Sequence, residues 1–169
     1  MAANFNRKPM SAENALVRLQ DFCVRAEHCG FELREKLRGW MVPVDEWDNI
    51  LQRLQKDKFY DDRRFASAFV RDKILYNKWG RRKIVVAMMA KRIDRSIIDN
   101  ALDEIDMDTY RSILFAFMQS RCRSIKEGNT FEGRTKLFRA AVSRGYEPAL
   151  VSNIIRNHNE QLWDGCPTC

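Results

Sequence analysis

The sequence predicts an all-α protein, an elongated and curved array of three tandem three-helix repeats. Apolar residues recur at spacings of three and four along most of the 169 residues, the period of an amphipathic helix. The same helical pattern returns after 51 and after 53 residues, which is typical of a helical repeat protein. No Asn-Gly or Asp-Gly turn joins two alternating apolar runs, so no strands are expected.

The repeat follows from a fixed offset between core positions. Adding 53 to a core position of the central stretch gives a residue of the same chemical type, and subtracting 51 does the same toward the N-terminus. Examples are Gly80 with Gly133, Ile84 with Leu137 and Leu33, and Leu102 with Ile155 and Leu51. We therefore expect a mobile arm over residues 1–10, repeats over 11–57, 58–107 and 108–157, and a polar tail over 158–169.

In repeat 1, Ser11 is a suitable N-cap for a helix over residues 12–25 with Leu16 and Leu19 in its apolar stripe. A short second helix ends near Gly39. Pro43 suits the first turn of a third helix. The core face of that helix is Trp47, Ile50, Leu51 and Leu54.

In repeat 2, Asp61 is the expected N-cap of a helix that buries Phe65 and Ile74. Residues 77–80 interrupt it. Ile84 and Met88 line the second helix, and Asp94 caps the third. The inner face of the third helix is Ile97, Ile98, Ala101, Leu102 and Ile105.

Repeat 3 starts near Asp108 with a long first helix through Cys122, interrupted at residues 126–129. Gly145 is a natural C-cap of the second helix, and Pro148 opens the third. Leu150, Val151, Ile154 and Ile155 are expected to be buried. Each repeat is expected to bury a small core of its own.

The charge is concentrated in one stretch of the chain. The formal net charge is +7, and residues 71–95 alone hold nine basic and two acidic residues, which equals that excess. Such clustering favours a polyanion or an acidic protein surface as partner. The alternative is a solvated helical face that is basic by chance.

The candidate binding face takes its members from this stretch. Exposed cations at a helix start can reach phosphates, and an aromatic side chain can stack on a base. For Trp79 the alternative is packing against the adjoining helix. The candidates are Lys73, Lys78, Trp79, Arg81, Arg82, Lys83, Lys91, Arg92 and Arg95.

A second set of cations lies in repeat 3. They either stabilise helix ends, where cations suit the helix dipole, or continue the basic face. They are Arg121, Arg123, Arg134, Lys136 and Arg139, with Lys126 and Arg144 nearby.

Asp61 and Asp62 could be read as a metal-binding or acid pair. Adjacent side chains on a helix point about 100° apart, from 3.6 residues per turn, so the two carboxylates do not converge on one ion. We interpret them as a helix start.

No feature of the sequence predicts catalysis, a metal or a cofactor. His28 and His158 are isolated. Neither of the phosphate-binding motifs Gly-x-x-x-x-Gly-Lys and Gly-x-Gly-x-x-Gly occurs. Cys23, Cys29 and Cys122 suit small apolar positions in helices. Cys166 and Cys169 form a Cys-x-x-Cys, but a structural zinc site normally needs four ligands. We interpret that pair as an exposed, oxidisable tail rather than a metal or redox site.

The expected location is the cytoplasm. No apolar run approaches the roughly 18 residues of a membrane span, and residues 1–9 lack the apolar core of a signal peptide. We expect a monomer that does not associate with membranes.

Several motifs together resemble the RecX family of RecA recombinase regulators. They are Tyr60-Asp61-Asp62-x-x-Phe65-Ala66, Gly80-Arg81-Arg82-x-Ile84, Ile97-Ile98-x-x-Ala101-Leu102, and Glu32-Leu33-x-x-Lys36-Leu37. The resemblance covers about residues 12–155. Two motifs depart from the family's usual form. Its Gly-x-Gly-Pro turn reads Lys78-Trp79-Gly80-Arg81 here, and its Lys-Gly-Ile reads Lys91-Arg92-Ile93.

The resemblance implies three tandem three-helix units and a non-enzymatic regulator in DNA repair and recombination. Such proteins bind the filament that RecA forms on single-stranded DNA, lie in its helical groove and usually limit its activity. Two alternatives remain open: a helical DNA-binding protein that acts without a recombinase, and a helical-repeat scaffold for protein interactions.

Overall fold

The structure is a computed structural model that describes residues 8–164, and these are helical apart from short connections. Cys166, Cys169 and most of the predicted N-terminal arm lie outside the described residues. We assign α1 (Ala12–Arg25), α2 (Gly30–Gly39) and α3 (Trp47–Lys56) to repeat 1, with a 3-10 turn, Val44–Glu46, before α3. Repeat 2 holds α4 (Asp62–Leu75), α5 (Arg81–Ala90) and α6 (Arg95–Asp103). Repeat 3 holds α7 (Met107–Cys122), α8 (Phe131–Ser143) and α9 (Pro148–Asn157). The predicted fold class is confirmed.

Polar side chains begin the first helix of each repeat. The Ser11 hydroxyl accepts a hydrogen bond from the Asn14 N–H, and the Asp61 carboxylate accepts from the Arg63 N–H at 2.7 Å. Asp106 accepts from the Thr109 N–H at 2.8 Å, so α7 starts slightly earlier than the sequence predicts. These caps satisfy N–H groups that have no partner within the helix.

One turn recurs in all three repeats between the second and third helices. Met41, Arg92 and Gly145 occupy it with φ values of 54°, 58° and 93°. The residue after each donates its N–H to the carbonyl five positions earlier, at 3.1, 3.2 and 3.3 Å respectively. This is the Schellman arrangement, which places one residue in the left-handed region and favours glycine there. Two of the three repeats therefore carry a side chain where glycine would fit best.

The apolar residues form two cores rather than three. Repeat 1 buries one core together with Tyr60. Repeats 2 and 3 share a second core, which also includes Cys29 from repeat 1. The expectation of one core for each repeat is therefore wrong for repeats 2 and 3. The shared core contains Phe65, Ile84, Ile98, Tyr110, Leu114, Leu137 and Tyr146 among others.

The prediction of a polar tail is wrong over residues 158–164, which contain a further helix, α10 (Asn159–Trp163). Leu162 is 1% exposed and Trp163 2% exposed, and both join the shared core. α10 packs against α7 and α9. A methyl group on Gly133 would lie 3.4 Å from the Trp163 ring. Two adjacent apolar side chains are too short a pattern to reveal a helical period, which is why the sequence did not predict α10.

No helix within residues 8–164 is both long enough and apolar enough to cross a bilayer.

Candidate nucleic-acid interface

Trp79 lies in the connection between α4 and α5, packed against the core of repeats 2 and 3. Its ring meets Phe69 edge to face, with centroids 6.4 Å apart. The ammonium groups of Lys73 and Lys83 lie 5.7 Å and 4.3 Å from the Trp79 ring centroid. Between the two interpretations of Trp79, the structure shows packing. The indole face also attracts two cations and holds them at this turn.

Lys78 closes the end of α4. Its φ of 55° reverses the chain, and its ammonium donates to the Leu75 carbonyl. A lysine in this position satisfies a carbonyl left open at the helix end and suits the negative end of the helix dipole. Lys78 thus brings a third cation to the same turn.

A fourth cation arrives from repeat 3. The Arg144 guanidinium donates to the Asn77 carbonyl at 3.3 Å and lies 5.5 Å from the Phe117 ring centroid. Its own carbonyl accepts from the Gly80 N–H at 2.9 Å. We call Lys73, Lys78, Lys83 and Arg144 the turn patch. The sequence indicated Arg144 only as part of repeat 3, because nothing local shows that it lies beside Asn77, 67 residues away.

Backbone contact between two glycines fixes the turn patch across the two repeats. The Arg82 N–H donates to the Gly145 carbonyl at 3.0 Å. A Cβ on Gly80 would lie 2.1 Å from the Gly145 carbonyl carbon, and one on Gly145 would lie 2.3 Å from the Lys83 Cβ. Only glycine permits this approach, which sets the start of α5 against the α8–α9 turn.

Arg81 points into the protein and has a structural role. Its guanidinium donates to the carbonyls of Leu102 at 3.2 Å and Ile105 at 3.4 Å, and lies 5.1 Å from the Tyr110 ring centroid. Its backbone N–H donates to the Tyr110 hydroxyl at 3.0 Å, and that hydroxyl donates to Glu147 at 2.8 Å. Burial raises the pKa of Tyr110 well above its usual range. The prediction of Arg81 as a binding residue disagrees with this placement.

Arg82 and Arg95 line a different depression, between α5 and α6. Arg81 lines it too, with Asp99, Asp103 and Glu147, so three arginines face three carboxylates and its charge is balanced rather than basic. Arg95 pairs with Asp99 at 2.9 Å one turn along α6. These two arginines do not belong to the turn patch.

Lys91 and Arg92 lie where repeat 2 meets repeat 1. The Lys91 ammonium contacts Glu32 at 2.5 Å, and Glu32 also bonds to His28 at 2.7 Å. The Arg92 guanidinium lies 5.7 Å from the Phe31 ring centroid. Burial by itself raises the pKa of Glu32, but the hydrogen bonds from Lys91 and His28 outweigh it and hold that pKa below its usual value of 4.5. Lys91 therefore joins two repeats.

Asp62, the second residue of the Asp61–Asp62 pair, also takes part in the contact between repeats 1 and 2. Asp61 is the N-cap of α4, while the Asp62 carboxylate accepts from the Gly30 N–H at 2.9 Å. Gly30 and Arg81 are equivalent positions at an offset of 51, each the first residue of a second helix. Both donate that N–H to a side chain of the following repeat, Asp62 in one case and Tyr110 in the other. The same type of hydrogen bond between successive repeats therefore occurs twice, with a different acceptor each time.

The second set of cations divides in a similar way. Arg121, Lys136 and Arg139 border one depression, but Lys136 pairs there with Glu127 and, at 3.0 Å, with Glu132. Arg134 lies in a separate groove beside Phe131 and Phe138. Arg123 is exposed near the end of α7. Arg121 and Arg139 therefore share one depression, from which Arg134 is separate.

Within residues 8–164, no group of three or more His, Cys, Asp or Glu side chains is placed to hold a metal ion.

Comparison with known proteins places these features in a family. The family model described as RecX, second three-helix domain, matches residues 61–102, which include α4, α5 and most of α6. The chain is 28% identical over 127 residues to regulatory protein RecX of Clostridium beijerinckii, covering 74% of this chain and 59% of that protein. It is 24% identical over 140 residues to regulatory protein RecX of Haemophilus influenzae, covering 83% and 91% respectively. It thus spans about three fifths of the length of the clostridial relative.

Two solved structures share the fold. A crystal structure of a regulatory protein RecX superposes with a TM-score of 0.79 at 19% identity, over 86% of this chain and 73% of the other. The RecX structure from Lactobacillus salivarius gives 0.79 at 16% identity, over 88% and 96%. The family model on repeat 2, the curated relatives and this common fold agree, and the chain belongs to the RecX family.

Proposed function

We propose that this protein binds the filament formed by the RecA recombinase on single-stranded DNA and limits its activity. It acts without catalysis, as a monomer in the cytoplasm, in DNA repair and recombination. The observation that carries the proposal is the turn patch, which gathers four cations from two repeats of a RecX-family chain at one rigid turn. Clustered cations favour contact with phosphates or with carboxylates of a protein surface.

The joint between repeats 2 and 3 supports this role. A filament groove presents a long, fixed surface, and a binder that is already ordered loses less conformational entropy on docking. The Gly80–Gly145 contact and the shared core hold the four cations in one arrangement before binding. We propose that the turn patch faces the phosphates exposed in the groove.

Filament ATPase and strand exchange test the proposal. Addition of the wild-type chain at substoichiometric amounts should lower both rates. Lys83→Ala and Arg144→Ala should weaken this inhibition, because each removes a cation of the turn patch. Arg95→Ala is the matched control, since it also removes one exposed cation but lies outside the patch. If the wild-type protein left the ATPase and strand-exchange rates unchanged, the proposal would be wrong.

Dependence on the filament separates the open alternatives. A DNA-binding protein that acts without a recombinase would bind bare DNA as tightly as the filament, with the same steep salt dependence. A protein-interaction scaffold would keep its binding when the cations of the turn patch are removed. The proposal requires tighter binding to the filament than to bare DNA.

A further inference from the structure

Tyr76 projects from the C-terminal end of α4 into solvent. It is 78% exposed, while Trp79 three residues later is packed against Phe69 and two ammonium groups. An exposed aromatic ring can offer a face to a base, and the ring of Trp79 is already engaged. We infer that Tyr76, rather than Trp79, stacks on an unpaired base of single-stranded DNA. This inference rests on the proposed function.

Cations of the turn patch contact the residues on both sides of Tyr76. The Lys78 ammonium donates to the carbonyl of Leu75, the preceding residue. Asn77, the following residue, is contacted by Lys73 at its side-chain oxygen, 3.4 Å away, and by Arg144 at its carbonyl. The turn patch therefore contacts the chain on both sides of Tyr76.

Most of these cations are available to phosphates. Within residues 8–164, Lys78, Lys83 and Arg144 have no carboxylate within 4.0 Å, whereas Lys73 pairs with Asp72 at 2.6 Å. An exposed ring in a segment contacted by cations is the combination that sequence-tolerant single-strand binding uses: the cations follow the backbone, and the ring receives a base. A duplex has no unpaired base to offer, so Tyr76 adds nothing to duplex binding.

The two contributions can be separated by salt. Stacking is worth about 1–3 kcal/mol per base, so loss of the ring should weaken binding about tenfold. Phosphate contacts set the slope of affinity against salt concentration, and an uncharged residue leaves that slope unchanged. A lysine of the turn patch should lower the slope by about one when replaced by alanine.

The experiment titrates a labelled oligothymidylate of about 20 nucleotides, and a duplex of equal length, with the full chain by fluorescence anisotropy at about 50 to 200 mM salt. Tyr76→Ala should weaken single-strand binding about tenfold with the salt slope retained, and leave duplex binding unchanged. Tyr76→Phe keeps the ring and should bind within about twofold of wild type. Phe131→Ala, which removes a ring that is 81% exposed at the start of α8, should bind as wild type does.

Each other outcome identifies which idea fails. If the wild type inhibits the filament but Tyr76→Ala binds single strands as wild type does, the stacking role is overturned and the proposed function stands. The same holds if the wild type binds the filament but not bare strands, if duplex binding falls equally, or if only Phe131→Ala loses affinity. A wild type that binds neither strands nor filament overturns both.

Discussion

Gly80 lies so close to Gly145 that a methyl group on Gly80 would approach the Gly145 carbonyl carbon to 2.1 Å. Two hydrogen bonds accompany the contact: the Gly80 N–H donates to the Arg144 carbonyl, and the Arg82 N–H donates to the Gly145 carbonyl. Backbone lies against backbone here, so no flexible side chain can yield. The relative placement of repeats 2 and 3, and hence the turn patch, depends on these two residues.

Gly80→Ala should lower the free energy of unfolding by about 2–3 kcal/mol, because the added methyl group overpacks a backbone contact. Urea denaturation monitored by circular dichroism measures the change. Gly39→Ala is the matched control, since nothing lies within 4 Å of a methyl group there. Alanine at the end of α2 should be neutral or slightly stabilising. If Gly80→Ala and the wild type had equal free energies of unfolding, the Gly80–Gly145 contact would not be the close backbone contact described here.

Arg81→Ala should reduce stability rather than binding alone. It removes the guanidinium hydrogen bonds to the carbonyls of Leu102 and Ile105 and the cation beside the Tyr110 ring. The expected loss is about 2 kcal/mol, in the range for hydrogen bonds to a charged group. Arg82→Ala, next along the helix and exposed, should change stability by less than about 0.5 kcal/mol. Thermal unfolding of both variants distinguishes them, and similar melting temperatures would argue against a structural role for Arg81.

Acid should weaken the joint between repeats 1 and 2. The pKa of Glu32 in the folded protein lies below its usual value of 4.5, so its contribution is complete above that value and is lost as pH falls through the folded pKa. Stability measured by urea titration should therefore drop below about pH 4.5. Glu32→Gln should remove this part of the pH dependence and cost about 1–2 kcal/mol at neutral pH.

Glu35→Gln provides the comparison for that measurement. Glu35 pairs with Arg38 within α2, and both side chains are exposed. Such surface pairs contribute little, about 0–1 kcal/mol. A Glu32→Gln variant with the pH profile of the wild type would show that the Lys91 contact does not join the repeats.

Arg92→Gly should stabilise the protein by about 0.5–1 kcal/mol, because Arg92 adopts the left-handed conformation that glycine tolerates without strain. The gain is reduced by the loss of its contact with the Phe31 ring and by the greater freedom of glycine in the unfolded chain. Replacement of exposed Arg71 by glycine within α4 is the contrast, and it should destabilise by about 1 kcal/mol. Chemical denaturation of both variants would check the sign of each effect.

The sequence predicted the helices well and the joints poorly. The spacing of Leu33 and Leu37, or of Ile98 and Leu102, contains the helical period directly, since a buried stripe is a local property. The orientation of Arg81 depends on Tyr110 of the next repeat, and the position of Arg144 beside Asn77 depends on the Gly80–Gly145 contact. A run of adjacent cations therefore predicts a basic region without showing which side chains share a surface.

The shared core of repeats 2 and 3 has a consequence for folding. The two cores predict two cooperative units for the three copies in the sequence. α4 to α10 bury one continuous core, while repeat 1 buries another and meets the first through Cys29, Phe31 and ion pairs such as that of Lys91 with Glu32. Amides of α1–α3 should then exchange with solvent through an opening that leaves the rest of the molecule protected. The sequence repeat and the cooperative unit of folding therefore differ in length.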